Sequence, residues 1–245
     1  GGSSSLDEAG YLNSTAIYSV ASGRWSLASP MLTTRARHTA TLLANGTVLV
    51  VGGFNGLDLS SVELFEPASN AWTSVRDLLD ARRDQSATLL PNGQLLIAGG
   101  MSGGAYPATT YAYDPGANAW NTAGTLPGGG RARQTATLLP SGRVLLVGGW
   151  AGATSSGAAD LYEAGIGQWG GAGTMNSPRA DHTATLLPDG RVLVVGGAGA
   201  AGEALTSTEV YSPETGLWTP LASSLPGARD AHTAKPLGRG LPSSV

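Results

Sequence analysis

The chain has no cysteine and a single lysine, Lys235, among its 245 residues. The absence of cysteine excludes disulfide bonds, thiolate metal ligands and a cysteine nucleophile. Charged residues make up only 13% of the sequence, compared with the usual ~25%. The net charge is −3, so a general attraction to nucleic acid is not expected.

Long apolar runs and helical periodicity are also missing. No run approaches the roughly 18–20 apolar residues of a membrane span, so we predict that the chain does not span a membrane. Short aliphatic runs recur along the whole chain instead, and they exclude disorder. The sequence therefore predicts an all-β protein with a substantial core.

One segment occurs four times with little change. It begins near His-Thr-Ala-Thr-Leu-Leu or a close variant, passes through a turn into an aliphatic run, and ends in a pair of glycines. The copies cover residues 37–53, 84–100, 133–149 and 181–197. A fifth copy begins at Ala231 and soon departs from the pattern. Repeats of about 20–50 residues are typical of solenoids, propellers and arrays.

Other landmarks keep the same spacing. Each glycine pair begins 17 residues after an arginine, and an aromatic residue further on is followed seven positions later by a tryptophan. The pair expected after Arg229 would begin at position 246, one past the last residue, whereas the chain begins with Gly1 and Gly2. We predict that these two glycines complete the fifth repeat.

Each repeat predicts four antiparallel strands, named a to d. Strands a and b flank a tight turn with Asn-Gly, Ser-Gly or Asp-Gly, strand c ends in Tyr or Phe, and strand d contains the Trp. Four such strands repeated radially form a propeller blade. We predict one five-bladed β-propeller over residues 1–245, closed by N-terminal strands c and d that join C-terminal strands a and b. The predicted blades cover about 33–78, 80–126, 129–175, 177–224, and 227–245 together with 1–30.

The glycine pair, the downstream Tyr and the Trp seven residues beyond it resemble the kelch-repeat family. The Arg-x-x-His-Thr-Ala-Thr-Leu-Leu form resembles bacterial kelch proteins, which are often extracellular, more than animal kelch adaptors. The resemblance implies a propeller and favours an extracellular or periplasmic location. The family mostly has six or seven blades, so five is a departure.

The fifth copy departs from the family pattern as well. Pro236 and Pro242 have no amide donor, and Ser243 and Ser244 replace aliphatic residues in a predicted central strand. We expect the fifth blade to be the weakest.

The connections from d to a and from b to c are expected on one face of the propeller. The b–c loops vary in length, and variable loops on a rigid scaffold usually carry binding. Five repeat arginines come just before strand a, so we expect them on this face, at the mouth of the central channel of the propeller. There they either form a cationic ring that binds carboxylates or sulfates, or bond to loop carbonyls and to acids of adjacent blades. They are Arg35, Arg82, Arg131, Arg179 and Arg229. Animal kelch adaptors use arginines in this place to bind acidic peptides, so the resemblance implies the same role here.

Further candidates differ from repeat to repeat. Two positions after each arginine stand Arg37, Asp84, Arg133, Asp181 and Ala231. The aromatic residues outside the repeat register are Phe54, Tyr106 and Trp150, which either meet a ligand by stacking or cover the core. The three histidines, His38, His182 and His232, share one repeat position with Gln85 and Gln134. This exchange favours a structural hydrogen bond over a metal site.

Three functions remain open from the sequence. The first is a non-catalytic binding scaffold, expected to be a monomer, with an acidic peptide, a glycan or a partner protein at the channel mouth. The second follows from the resemblance: a sugar-acid mutarotase with Arg179, Asp181 and His182 as the residues to test. A copper-dependent galactose oxidase is disfavoured, because its cofactor requires a cysteine–tyrosine crosslink. The third is an engineered or excised propeller without a ligand. We expect no cofactor, no metal and no catalytic set.

Overall fold

The computed structural model describes residues 1–4 and 10–235. The chain divides into two compact units, Gly1–Thr125 and Leu126–Val245, which we describe separately. All regular secondary structure in the described residues is β-strand, which confirms the predicted all-β class. Nowhere in these residues is there a helix with the length and apolarity to cross a membrane.

The first unit contains a short strand pair, a partial sheet and two four-stranded antiparallel sheets. The short pair consists of β1 (Gly2–Ser3) and β2 (Tyr11–Leu12), and the partial sheet of β3 (Thr15–Ser19) and β4 (Arg24–Ala28). Sheet 1 consists of β5 (Thr39–Leu42), β6 (Val48–Val51), β7 (Val62–Glu66) and β8 (Ala71–Ser74). Sheet 2 consists of β9 (Ser86–Leu89), β10 (Leu95–Ala98), β11 (Thr109–Asp114) and β12 (Ala119–Thr125).

The second unit contains two more four-stranded sheets. Sheet 3 consists of β13 (Thr135–Leu138), β14 (Val144–Val147), β17 (Ala158–Glu163) and β18 (Gln168–Thr174), and the pair β15 (Trp150–Ala151) and β16 (Thr154–Ser155) lies in the connection between β14 and β17. Sheet 4 consists of β19 (Thr183–Leu186), β20 (Val192–Val195), β21 (Thr208–Ser212) and β22 (Leu217–Pro220). In sheets 1 to 4 the strands follow in order a, b, c, d, as predicted for blades 1 to 4.

The turn between strands a and b follows from its sequence. In sheet 1, Gly46 has a φ of 87°, a conformation that glycine adopts without steric cost. Its amide donates to the carbonyl of Leu43 at 3.0 Å. The Asn45 side chain accepts from the backbone amide of Thr47 at 3.2 Å. This local chemistry fixes the register of Leu42 opposite Val48.

Strand b forms the centre of each sheet and packs on the next sheet. Leu49 and Val51 on β6 contact Leu95, Ile97 and Tyr113 of sheet 2 in one buried cluster. Each of these side chains is at most 3% exposed. A second cluster joins sheets 3 and 4 in the same way. Neighbouring sheets within a unit therefore depend on each other for their apolar core.

The repeated tryptophans add a polar link between neighbouring sheets. The Trp120 indole lies 4.9 Å from the Tyr113 ring, centroid to centroid. Its Nε1 donates to the Arg76 carbonyl at 2.9 Å. Trp218 donates in the same way to the Ala172 carbonyl of sheet 3 at 3.0 Å.

Among residues 1–4 and 10–235 only two strands of the fifth blade are formed, so the predicted five-bladed closure is not confirmed. β3 and β4 match its strands c and d, and they lie next to each other because a short turn connects them. Residues 232–235, where strand a was predicted, form no strand. Predicted strand b, with Pro236, Pro242 and the two serines, lies outside the described residues. The sequence itself departs here from the pattern of strand a, because Lys235 stands where the complete sheets have a threonine.

The glycine pairs give a test of the close approach between the start of strand a and the end of strand b within one sheet. At Gly197, with φ +98°, an added Cβ would lie 2.5 Å from the Ala180 carbonyl oxygen. At Gly202, with φ +85°, an added Cβ would meet no atom within 4 Å. We expect Gly197→Ala to lower the free energy of unfolding by about 3 kcal/mol or more, and Gly202→Ala by only about 1 kcal/mol. Urea denaturation measures both. Equal losses would show that the close approach contributes nothing.

Candidate binding face

The d–a and b–c connections meet at one end of each sheet. There the residue after each repeat arginine forms an antiparallel bridge with the residue after the glycine pair. The bridges are Ala36 with Phe54, Arg83 with Met101, Ala132 with Trp150, and Ala180 with Ala198. We call this end of a sheet its loop end, and the a–b turns lie at the opposite end. The sequence candidates that follow lie at or beside the loop ends.

The arginines that begin sheets 1 to 4 are fully buried. Arg35, Arg82, Arg131 and Arg179 are each 0% exposed. In sheet 4, Nη1 of Arg179 donates to the carbonyls of Gly196 at 2.8 Å and Ser207 at 3.0 Å. Its Nη2 donates to Oε1 of Glu209 at 2.9 Å. One side chain thus connects the start of strand a, the glycine pair and strand c.

The carboxylate of Glu209 is held from two sides. Besides Arg179, it accepts from the backbone amides of Asn176 at 2.8 Å and Ser177 at 2.9 Å. Burial by itself raises the pKa of Glu209, but these hydrogen bonds outweigh burial and leave the pKa below its usual value. The d–a loop is therefore attached to strand c through an ionised carboxylate.

The acids of strand c pair with the arginine of their own sheet. The distances are 2.5 Å for Arg35–Glu63, 2.6 Å for Arg131–Asp160 and 2.9 Å for Arg179–Glu209. The expectation of pairing with adjacent blades was wrong, because an arginine at the start of strand a faces the start of strand c two strands away.

Sheet 2 has Tyr111 where the other sheets have an acid on strand c. Asp80 from the d–a loop supplies the carboxylate instead, with its oxygens 2.7 Å from Nε and 2.5 Å from Nη2 of Arg82. The Tyr111 hydroxyl donates to Asp80 Oδ2 at 3.1 Å. Sequence reasoning missed Asp80. The signal was available, since Tyr111 left Arg82 without its expected partner.

The guanidinium groups of these four buried arginines bond to backbone carbonyls at the loop ends. The fifth candidate, Arg229, is exposed, and its Nε donates to the Gly227 carbonyl at 3.2 Å.

The residues two positions after the buried arginines share an unusual backbone conformation. Arg37, Asp84, Arg133 and Asp181 have φ values of 55°, 55°, 57° and 51°, in the left-handed region that non-glycine residues seldom adopt. The Asp84 amide donates to the Arg37 carbonyl at 3.1 Å, and the Asp181 amide to the Arg133 carbonyl at 3.2 Å. This geometry brings consecutive loop ends together within each unit.

Their side chains form two charge pairs of the same design. Arg37 lies 3.4 Å from Asp84, with side chains 30% and 12% exposed. Arg133 lies 3.5 Å from Asp181, with side chains 39% and 21% exposed. Unlike the buried arginines, Arg37 and Arg133 are open to solvent.

Trp150 completes the cluster in the second unit. It begins the small strand pair β15–β16, is half-buried, and donates from Nε1 to Oδ2 of Asp181 at 2.9 Å. The b–c loop of sheet 3 and the start of sheet 4 are thereby joined. Trp150 both covers the sheet beneath it and keeps part of its ring accessible.

Phe54 has a different environment in the first unit. Its ring packs edge-on against Tyr11 at 5.7 Å between centroids, and the Arg83 guanidinium lies 4.4 Å from its ring centroid. Arg83 also forms an ion pair with Asp58. Tyr106 is half-buried in the connection before β11. The three loop aromatics therefore belong to the b–c connections of three different sheets.

The shared histidine and glutamine position links neighbouring sheets. Gln85 Nε2 donates to the Val51 carbonyl of the preceding sheet at 2.9 Å. His182 Nε2 lies 2.8 Å from Thr135 Oγ1. Burial lowers the pKa of His182 to about 3, and the positive Arg179 guanidinium acts in the same direction.

The mutarotase candidates are each engaged with a different partner. Arg179 is engaged with Glu209, Asp181 with Trp150 and Arg133, and His182 with Thr135. Within residues 1–4 and 10–235, no three His, Asp or Glu side chains are placed to hold a metal ion.

The low pKa of His182 predicts a pH effect on stability. Because the unfolded pKa of about 6.5 exceeds the folded pKa, the unfolded state binds more protons, and stability is lost as the pH falls below about 6.5. Between pH 7.5 and 5 this one group accounts for about 2 kcal/mol. His182→Gln places the residue of sheets 2 and 3 at this position. We expect its melting temperature to fall less than that of the wild type over this range, by about 4 °C or more.

Differential scanning calorimetry at the two pH values measures the effect. His232→Gln is the matched control, since His232 is more accessible and should change the pH dependence less. An identical pH dependence in His182→Gln and the wild type would contradict a buried neutral imidazole.

This chain resembles a solved structure in its fold. A structure described as a novel fungal alcohol oxidase with catalytic diversity among the AA5 family, in complex with copper, matches with a TM-score of 0.52 and 19% identity. The match covers 84% of this chain and 58% of that chain, so this chain spans less than two thirds of the oxidase. No curated protein matches the chain.

The family model of the Kelch motif matches residues 35–79, 82–127 and 178–224. These ranges are sheet 1, sheet 2 and sheet 4 with their buried arginines and aromatic pairs, and together they make up more than half of the chain. The predicted resemblance is confirmed: the chain belongs to the Kelch motif family.

Proposed function

We propose that the protein is a non-catalytic binding scaffold that holds an acidic segment of a partner protein at its loop ends. The observation that carries this proposal is the pair of charge clusters Arg37–Asp84 and Arg133–Asp181. Each places a partly exposed arginine on a backbone in the left-handed region. Backbone strain of this kind costs free energy, and it is concentrated at functional sites.

The exposed arginines can exchange their partners. Solvent-exposed ion pairs contribute only about 0–1 kcal/mol, and the Arg133–Asp181 distance of 3.5 Å is long for a charge-assisted bond. A ligand carboxylate that binds Arg133 in two-point geometry therefore replaces a weak contact with a stronger one. Asp181 stays in place through Trp150.

A glycan ligand is the second candidate at the same cluster. Trp150 offers part of its ring face, and Asp181 offers acceptor oxygens beside it. This combination of an apolar ring and a polar group suits a sugar.

An enzyme has less support. Arg179 and His182 are buried and separately engaged. The copper chemistry named for the fungal oxidase does not fit this chain, because it has no cysteine and no cluster of metal-binding side chains among the residues described. An engineered or excised propeller without a ligand remains the outcome if no probe binds.

The scaffold proposal predicts a local effect of charge removal. We expect an Asp/Glu-rich synthetic peptide to raise the melting temperature by mass action, and Arg133→Ala to weaken its binding about tenfold. Arg191→Ala is the matched control, because Arg191 is an exposed arginine of the same unit, paired with Asp189 at the a–b turn. Its affinity should match that of the wild type.

Isothermal titration calorimetry with this peptide, oligogalacturonate and chondroitin sulfate fragments measures the binding. Preference for the oligosaccharides, reduced in Trp150→Ala, would identify the glycan candidate. Equal weakening in Arg133→Ala and Arg191→Ala would indicate non-specific charge attraction and would contradict the site. Turnover of galacturonate would contradict a non-catalytic function.

A further inference from the structure

The second unit has a groove at the end of its sheets opposite the loop ends. The groove has a volume of about 480 Å³ and lies between the a–b turns of sheets 3 and 4 and the c–d turn of sheet 4. Its volume is in the range of small-molecule sites, and Leu139, Pro140 and Pro213 give it apolar walls. We call it the turn groove. Its charged lining residues are Arg143, Asp189, Arg191 and Glu214.

Two of these four charges neutralise each other within one turn. Nε and Nη2 of Arg191 lie 2.8 Å and 2.7 Å from Oδ2 of Asp189. The hydrogen bonds from Arg191 hold the pKa of Asp189 below its usual value, so both groups are charged at neutral pH. This pair satisfies itself and leaves the other two charges of the groove to be accounted for.

Arg143 and Glu214 have no ionic partner among residues 1–4 and 10–235. Arg143 donates from Nε to the Ser141 hydroxyl at 3.2 Å, and in this part of the chain no carboxylate pairs with its two Nη groups. Glu214 is exposed, and no basic side chain of the described residues pairs with it. A guanidinium and a carboxylate thus line one groove without contacting each other.

The guanidinium of Arg143 lies toward sheet 4. Burial raises the pKa of Tyr211 on strand c of sheet 4, and the positive charge of Arg143 opposes this rise. Because the effect of a charge falls with distance, the guanidinium lies near the Tyr211 hydroxyl. The c–d turn that carries Glu214 directly follows Tyr211. The two unpaired charges therefore come from two neighbouring sheets and meet at one groove.

The turns do not require these two side chains. In each a–b turn of sheets 1 to 4, the carbonyl at the position of Arg143 accepts from the amide of the leucine before the turn at 2.8 Å. The residues at this position are Thr47, Gln94, Arg143 and Arg191. Since backbone groups close the turn whatever the side chain is, the charge at position 143 is available for another role.

The first unit contains the equivalent groove without these charges. It has a volume of about 430 Å³ and lies between the a–b turns of sheets 1 and 2 and the c–d turn of sheet 2. Gly116 stands there at the position of Glu214, and Gln94 at the position of Arg191. Among the described residues that line it, Asp114 alone is charged. The unpaired opposite charges are therefore specific to the turn groove and are not a property of the repeat.

We propose that the turn groove binds a small zwitterionic ligand, in which a short apolar chain separates a carboxylate from an ammonium group. The carboxylate contacts the Nη groups of Arg143, the ammonium contacts Glu214, and the apolar chain lies on Leu139 and Pro213. A simple anion is a poorer match, because Asp189 and Glu214 repel it. A ligand with both charges complements both unpaired groups, and such complementarity gives specificity.

The test is a titration of the isotope-labelled full chain with γ-aminobutyrate and ε-aminocaproate, followed by heteronuclear NMR at constant ionic strength. We expect saturable shifts of the Gly142 and Gly190 amide signals. The dissociation constant should be in the millimolar range, because both ion pairs are partly solvated. Butyrate and butylamine, which each carry one of the two charges, should bind at least about fivefold more weakly.

Two substitutions remove one charge each. Arg143→Gln introduces the residue that sheet 2 has at this position, Gln94, and Glu214→Gln keeps the size of the side chain. Each should weaken binding of the zwitterion at least about fivefold. Their effects on butyrate differ, since Arg143→Gln should weaken its binding and Glu214→Gln should not. Arg24→Gln is the matched control: it removes an exposed arginine of the first unit and should change the affinity less than about twofold.

Three results would overturn the proposal. Equal affinities for butyrate and γ-aminobutyrate would show that the groove takes simple anions. Equal weakening by Arg24→Gln and Arg143→Gln would indicate attraction to the overall charge of the protein. No saturable shift with either zwitterion would show that the turn groove is not a site. Arg133→Ala should leave these titrations unchanged, so their outcome is independent of binding at the loop ends.

Discussion

The buried arginine–carboxylate contact is the constraint on which the loop ends depend. A guanidinium at 0% exposure is stable only if carbonyls and a carboxylate satisfy it, since an unpaired buried charge is costly. Each arginine therefore requires a glycine pair, a strand c and a d–a loop at fixed distances. Sheet 2 shows how strict this requirement is: when strand c offers Tyr111, the loop supplies Asp80. The carboxylate can come from either element, but each of the four buried arginines has one.

This constraint also determines which side chains lie at the loop ends. The repeat arginines are engaged inside the sheets, and the chain two positions later turns into the left-handed region. That turn presents Arg37, Asp84, Arg133 and Asp181 at the ends of the sheets. The buried arginine is thus the same in each of sheets 1 to 4 and holds the loop end together. The residue two positions later differs from sheet to sheet.

The sequence predicted what local chemistry controls. The Asn45-Gly46 turn, the aliphatic run Val48–Val51 and the Phe65–Trp72 pair formed as expected, because each depends on residues close in the chain. The burial of Arg179 and its pairing with Glu209 depend on strands that meet only in the folded sheet, and spacing alone left ligand contact open. The prediction for the fifth blade shows the same difference between contacts that are close in the chain and contacts that are distant. Strands β3 and β4 form a local hairpin, whereas strands a and b of that blade were predicted at the far end of the chain.

The loop end of sheet 1 also contacts the start of the described chain. The faces of sheets 1 and 2 that contact each other form one buried cluster. On the opposite face of sheet 1, Val48 and Phe65 border a cavity. The same region contains Gly2, bonded to the carbonyl of Arg35, whose side chain holds Glu63. Arg37 follows two residues later at the loop end. Arg35 therefore makes two separate contacts at this loop end: its backbone carbonyl accepts from Gly2, and its fully buried side chain holds Glu63. One residue thus connects the start of the described chain, strand c of sheet 1 and the segment that leads to Arg37.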